Sequence, residues 1–566
     1  MQFGLYNILQ LAGAVGIFIY GMKLMSESVQ RAAGDRFRAA IDYITKNKWM
    51  GFMTGFLITA LVQSSSATTV MTVSLVNAGL FTATESVGLI LGANVGTTVT
   101  GWIVSLFGFK VNLGMYALPI MAIGVPMIFI SYGKTKDWGE FLIGFAMIFF
   151  GLGFMREAMP LPTDYVQAFD WLKEFTNNGI WSRIFFVVVG ALITVLVQSS
   201  SVAMAITLTM CAQGWLPAEI AASLILGENI GTTSTALIAS IVANREAKIS
   251  ARIHFMFNLI GVAWMVVILP WFLPLLSALL MYMFGIDDIY SNALDMTLGL
   301  SAFHTVFNLI NAFIFINATE WITQMASYTI RGDQGTKSPD KYAATNFLKN
   351  AELFPEIAII QIQKETQNFG NVLTIIAELF HTIVNTTDDK KQMKLINKLK
   401  QYEELTDRLE ITITEHITLL SKKEVSNETN QFFKAAVRAC NDMERIADLY
   451  AQLAKTMQNK IENNIYFLPE QRDRINEILF LISESLVTLS ENLSVIDFKN
   501  IDKYKANKVY KELKRYITDI KAQHHLQLGT PTYNLKSAMV YSSVFQTLEL
   551  VNNHIFNVTE SLIYEG

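Results

Sequence analysis

Eighty consecutive residues, 51–130, hold only two charged side chains, Glu85 and Lys110. In a soluble domain about a quarter of the residues are charged, so this stretch must be wrapped in lipid or in other protein. The 92 Asp, Glu, Lys and Arg residues of the 566-residue chain divide 37 to 55 at residue 344, although the second part is the shorter one. The first part therefore has the composition of a membrane domain and the second that of a soluble domain. With 52% hydrophobic residues and a net charge of −4, the chain is neither disordered nor an overall basic nucleic-acid binder, and no nucleic-acid partner is expected. Cys211 and Cys440 are too few and too far apart for a disulfide framework or a cysteine zinc site.

Apolar runs on the scale of a membrane span, about 20 residues, lie near 5–25, 51–80, 86–109, 115–132, 138–158, 181–212, 217–243, 255–284 and 296–327. The first has no basic segment before it and no small-residue cleavage site after it, so it reads as an anchor and not as a cleaved signal. Between Lys23 and Lys48 six basic residues face three acidic ones, which places that loop on the cytoplasmic side. A polar segment from Arg331 to Pro339, with two glycines and a proline, marks a domain boundary. Beyond it the pattern is helical, with helices expected near 356–384, 390–421, 427–458, 468–496, 499–524 and 535–563 and turn formers between them.

The membrane half repeats itself. LITALVQSSS at 57–66 recurs as LITVLVQSSS at 192–201, and ILGANVGTT at 90–98 recurs as ILGENIGTT at 225–233, both at an offset of 135. Gln63, Ser64, Ser65 and Ser66, followed by Thr68 and Thr69, place an amide and five hydroxyls in a hydrocarbon setting that cannot satisfy them. Duplicated polar breaks of this kind point to a secondary transporter whose two halves meet at one site. The alternative is helix packing, because Gly92–Gly96 and Gly227–Gly231 fit the small-xxx-small pattern; the glycines can serve both roles.

Hydroxyls, amides and helix N-termini hold an oxyanion, while their oxygens and free carbonyls coordinate a hard cation such as Na+. Neither repeated block contains Lys or Arg. A bound anion in a low-dielectric site then needs co-bound cations, which favours cation-coupled symport. The residues alone leave phosphate and other oxyanions equally open.

The paired QSSS blocks, each followed 29 residues later by G-x-N-x-G-T-T, resemble the type II sodium-dependent phosphate cotransporter family and its bacterial members over roughly residues 1–330. The resemblance implies inverted repeats with re-entrant segments, inorganic phosphate as substrate and Na+ as coupling ion. It implies substrate or sodium contacts at Gln63, Ser64, Ser65, Ser66, Gln198, Ser199, Ser200 and Ser201. Thr68, Asn94, Thr97, Thr98, Asn229, Thr232 and Thr233 form a second tier. Glu228, whose repeat partner is Ala93, is an intramembrane carboxylate and a candidate Na+ ligand or proton carrier; the alternative is a Glu paired with a nearby polar group. A short pattern, H-x-x-F-N, occurs at His254–Asn258 and His304–Asn308. Hydrogen bonding between helices explains it more simply than a metal or a proton relay.

In the soluble half, Glu403, Glu404 and Asp407 form one E-x-x-x-D pattern, and Glu444 and Asp448 another. Residues four apart share a helix face. If those helices are antiparallel neighbours, their carboxylates face one another and favour an oxygen-ligated divalent metal. The segment Asn441–Asp448 resembles the PhoU family over roughly 345–566, which implies two three-helix repeats and a link to phosphate regulation. Asn553 stands where that family's second repeat has Asp, so the second metal site departs from the pattern.

The expected protein is all-α. A transmembrane domain at 1–330 (repeats about 1–158 and 178–330) is joined by a linker, 331–344, to a cytoplasmic helical domain, 345–566. It is a multi-pass sodium/phosphate symporter of the bacterial inner membrane and not an enzyme, as no P-loop or nucleophile–base arrangement occurs. Its partners are phosphate, sodium and the bilayer, with a homo-oligomer or a phosphate-signalling partner left open. The rival readings are a membrane-bound sensor without net flux and a carrier of another oxyanion.

Overall fold

The structure, a computed structural model, describes residues 5–33, 47–77, 79–110, 113–130, 134–159, 179–241, 243–284, 292–330, 355–422, 425, 427–494, 501–528 and 534–563. The expected linker and most of the basic loop, including Arg36, Arg38 and Lys46, lie outside the described residues. Among the described residues every regular element is helical. The chain separates into two compact units, Met1–Asp333 and Gln334–Gly566.

The first unit begins with α1 (Leu5–Ala33), followed by α2 (Lys48–Val62), α3 (Ser65–Asn77), α4 (Ala83–Gly96) and the short α5 (Thr98–Trp102), which runs into a π-helical turn, Ile103–Lys110. Then come α6 (Ala117–Ile130) and α7 (Lys134–Ala158). The second half holds α8 (Ile180–Val197), α9 (Ser200–Ala212), α10 (Ala218–Ala239), α11 (Arg245–Phe284), α12 (Ala293–Ile316) and α13 (Thr319–Tyr328). Six of these stretches are long and apolar enough to cross a bilayer. The surface agrees: Leu57, Leu61, Phe129, Leu192, Leu196, Trp271 and Phe313 are all exposed, an apolar exterior that water would not tolerate and lipid does.

The apolar runs expected at 51–80 and 181–212 are each two helices with a break at the QSSS block. The cause is in the backbone. Gln63 and Gln198 both adopt φ 56°, with ψ 26° and 23°, ending α2 and α8 in the left-handed region. Their N–H groups bond Thr59 O and Thr194 O, each at 2.7 Å. The broken arms are pinned by glycine. A Cβ on Gly92 would run into the Phe52 carbonyl and one on Gly227 into the Val187 carbonyl, so α2 lies backbone to backbone with α4, and α8 with α10. The packing role of these glycines is therefore real.

Glu85 closes the capping box of α4, its carboxylate accepting from Thr82 N at 2.7 Å. In α11, Pro270 has no N–H for the carbonyl of Val266, and the Arg183 guanidinium donates to that oxygen instead.

The second unit comprises α14 (Pro355–Asn385), α15 (Asp389–Leu420), α16 (Asn427–Glu462), α17 (Pro469–Ser494), α18 (Lys503–Gln527) and α19 (Leu535–Leu562). These are the six helices read from the sequence. α18 starts later than expected because Asp502 caps it, its carboxylate accepting from Lys505 N at 2.8 Å. Phe369, Phe380, Phe433, Tyr450 and Phe545 are fully buried in one core, with the Phe380 and Tyr450 rings edge-on at 5.7 Å.

Candidate functional site

Each QSSS break leaves a helix N-terminus behind it. Ser64 Oγ accepts from Ala67 N at 3.2 Å, and Ser199 Oγ accepts from Val202 N at 3.3 Å. These two serines are thus N-caps, and their hydroxyl oxygens are partly spent. Ahead of them the N–H groups of Ser65, Ser66, Ser200 and Ser201 have no partner within their helices, and the positive ends of α3 and α9 lie there. Ser65 Oγ is buried without a hydrogen-bond partner, a hydroxyl ready for a ligand.

The two breaks meet. Ser201 Oγ donates to the Gln63 carbonyl at 3.2 Å, and Thr100 Oγ1 donates to Gln63 Oε1 at 2.7 Å while standing 3.3 Å from Ser201 Oγ. One half thus contacts the other through its left-handed residue. The halves are not equivalent, however. Gln63 is buried, whereas the Gln198 side chain is exposed. Thr59 donates to Thr68 Oγ1 at 2.9 Å; in the second half Ala203 replaces that threonine, so Thr194 Oγ1 is left buried without a partner.

The G-x-N-x-G-T-T blocks form a second polar layer. Asn94 Nδ2 donates to Asn258 Oδ1 at 3.1 Å and to Asn308 Oδ1 at 2.5 Å. Asn229 Nδ2 donates to the same Asn308 oxygen at 3.3 Å. The threonine hydroxyls are turned onto their own helices: Thr97 to Ala93 O, Thr98 to Val95 O, Thr232 to Glu228 O and Thr233 to Ile230 O. They can offer lone pairs to a cation, but no proton to an anion. Glu228 is buried on α10 and accepts from Thr207 Oγ1 at 2.7 Å. Among the described buried residues of the first unit it is the one Asp, Glu, Lys or Arg. Among the described residues no lysine or arginine is buried beside it to balance an anion.

The H-x-x-F-N residues Asn258, His304 and Asn308 make the hydrogen bonds between helices expected of them, whereas Thr100 and Thr207 were not selected by sequence. For Thr100 a signal existed: Thr235 matches it at the same offset of 135, just outside the repeated block. Thr207 lies outside every motif, and only packing reveals that it faces Glu228.

In the second unit, α15 and α16 bring Glu403, Asp407 and Asp448 together, with one oxygen from each within 4.8 Å of the others. Burial first, then the neighbouring carboxylates, push the Glu403, Asp407 and Glu444 carboxyls above the usual carboxylate range. Glu404 and Glu444 stand outside the trio but contribute to its field. The donor set, all hard oxygen on two helices, suits a divalent cation.

Residues 17–157 and 166–311 match the family model described as Na+/Pi-cotransporter. Among relatives, YqeW of Bacillus subtilis is 27% identical over 315 residues, covering 55% of this chain and 94% of its own length. YjbB of Salmonella typhimurium, whose name proposes inorganic phosphate export, is 23% identical over 458 residues, 80% of this chain and 78% of that protein. The human sodium-dependent phosphate transport protein 2B is 35% identical over 107 residues, 18% of this chain and 15% of that protein. No solved structure matches.

Proposed function

The chain belongs to the Na+/Pi-cotransporter family, and from that premise we propose that it carries inorganic phosphate across the bacterial inner membrane coupled to Na+. The observation that carries this reading is the contact between the two breaks, Ser201 Oγ to Gln63 O at 3.2 Å, which sets two helix N-termini around one polar region. Phosphate is received by the N–H groups of Ser65, Ser66, Ser200 and Ser201 and the hydroxyls of Ser65, Ser66 and Ser200. Na+ is received by oxygens of Gln63, Asn94 and the motif threonines. No Lys or Arg is buried among the described residues of the first unit, so the charge of a bound phosphate is neutralised by the travelling cations.

In this reading the halves are inverted repeats within residues 1–330, and rocking of one against the other exposes the site to each side in turn. Residues 345–566 form a cytoplasmic PhoU-like regulatory domain, joined through 331–344. Its Glu403, Asp407 and Asp448 bind a divalent cation, whose charge offsets their mutual repulsion. The name of YjbB favours outward transport as the second reading.

The test is uptake and release of labelled phosphate in proteoliposomes, with and without a sodium gradient. Flux that follows the gradient and is lost in Gln63→Ala and Gln198→Ala supports symport, and the direction of net movement separates import from export. Binding without flux would identify a sensor. Flux indifferent to sodium would overturn the coupling.

A further inference from the structure

Asn258 and Asn308 lie on α11 and α12, outside both repeated blocks, yet they determine what the repeated asparagines can do. Each spends its own N–H on the carbonyl one turn back, Asn258 Nδ2 on His254 O at 3.0 Å and Asn308 Nδ2 on His304 O at 2.8 Å. This leaves one orientation for each carboxamide, with Oδ1 facing α4 and α10. Asn94 answers with both of its N–H groups, one to Asn258 and one to Asn308. Asn229 gives one N–H to Asn308, and its Oδ1 lies 3.1 Å from His304 Nε2, which donates to it. All five side chains are buried.

Two residues alike in sequence therefore differ in chemistry. Asn94, its N–H groups consumed, presents only an oxygen; Asn229, its oxygen taken, keeps a spare N–H. An oxygen-only carboxamide meets a cation and cannot donate to a phosphate. We propose that Asn308 and Asn258 are positioning residues for Na+-coupled phosphate transport: they aim the Asn94 oxygen into the carriage site, and Asn308 joins both repeats at one atom. Asn308 serves Asn94 and Asn229 together, whereas Asn258 serves Asn94 alone, so their substitutions are expected to be unequal. This inference rests on the phosphate-carrier reading above.

The test uses the full-length protein with labelled phosphate and varied Na+, reading both proteoliposome uptake and Na+-dependent phosphate binding to solubilised protein. Asn308→Ala is expected to raise the half-saturating Na+ concentration about tenfold, the worth of one or two buried hydrogen bonds, and Asn258→Ala by less. Asn308→Asp keeps an acceptor oxygen and is expected to recover most of the affinity. Melting temperature, measured alongside, separates positioning from scaffolding. Wild-type half-saturation for Na+ in both alanine variants, with only melting temperature lowered, would overturn the inference. So would an Asn258→Ala effect exceeding that of Asn308→Ala. A wild-type protein that binds phosphate without flux rejects transport alone, and the binding curves still decide the positioning roles. One that neither binds nor carries phosphate defeats both readings.

Discussion

Thr100→Val keeps the shape of a buried side chain and removes the hydroxyl that stands between the two QSSS breaks. A hydroxyl has one proton, and at 2.7 Å it goes to Gln63 Oε1; Ser201 spends its own on the Gln63 carbonyl at 3.2 Å. Hydrogen bonds between transmembrane helices average about 0.6 kcal/mol and reach about 1.7 kcal/mol. The short Thr100 bond belongs at the upper end, and leaving Gln63 Oε1 unpaired adds about 1 kcal/mol. Thr100→Val is then expected to cost about 2.7 kcal/mol, on the order of a hundredfold loss of phosphate affinity if the halves must be joined to bind. Ser201→Ala, losing one longer bond, is expected to cost about 0.6 kcal/mol. In Thr100→Val the Ser201 hydroxyl is free to swing to Gln63 Oε1, so the double variant is expected to cost about 0.5 kcal/mol more than the sum. The assay is a double-mutant cycle on Na+-dependent phosphate binding to solubilised full-length protein. Strict additivity with phosphate affinity unchanged in both single variants would show that this junction plays no part in the site.

Gly92→Val and Gly227→Val each drive a side chain into a facing backbone carbonyl and are expected to abolish recovery of monodisperse protein, checked by size-exclusion chromatography. Gln198→Gly removes an exposed side chain from a left-handed residue and is expected to raise the melting temperature, since that conformation costs a side-chain-bearing residue about 1–2 kcal/mol. Gln63→Gly forfeits the Thr100 bond and is expected to gain less. The carboxyls of Glu403, Asp407 and Glu444 are raised, so the folded state holds their protons more tightly than the unfolded state. That stabilisation is present below the usual carboxylate range and is lost as pH rises through the shifted values. In chelator, hydrogen exchange of α15 and α16 peptides is expected to show less protection at about pH 7 than at about pH 5, and a divalent cation is expected to restore it. Protection indifferent to both pH and cation would remove the metal reading.

Much of the site was legible because duplication writes the same solution twice. The offset of 135 located both breaks, and the polar QSSS run in apolar sequence named the residues around them. The division of labour inside the pair was not legible. Ser64 and Ser199 look identical to their neighbours in sequence, yet each is the cap of its helix. Thr97, Thr98, Thr232 and Thr233 read as ligands, but their protons are turned onto their own backbones. In the second unit the two E-x-x-x-D patterns suggested five carboxylates, and geometry gathers three.

Local rules act along the chain, so composition alone divided it into an apolar half and a charged half, and periodicity placed the six helices of the second unit to within a few residues. The symmetry of the first half was equally written there. Tertiary packing broke that symmetry. It buried Gln63 against Thr100 while leaving Gln198 exposed, and it brought Asn308 to both repeats from a helix that belongs to neither block. A carboxamide or hydroxyl has few protons to give, and where they go depends on which acceptors lie within about 3 Å in space, which spacing along a chain cannot report.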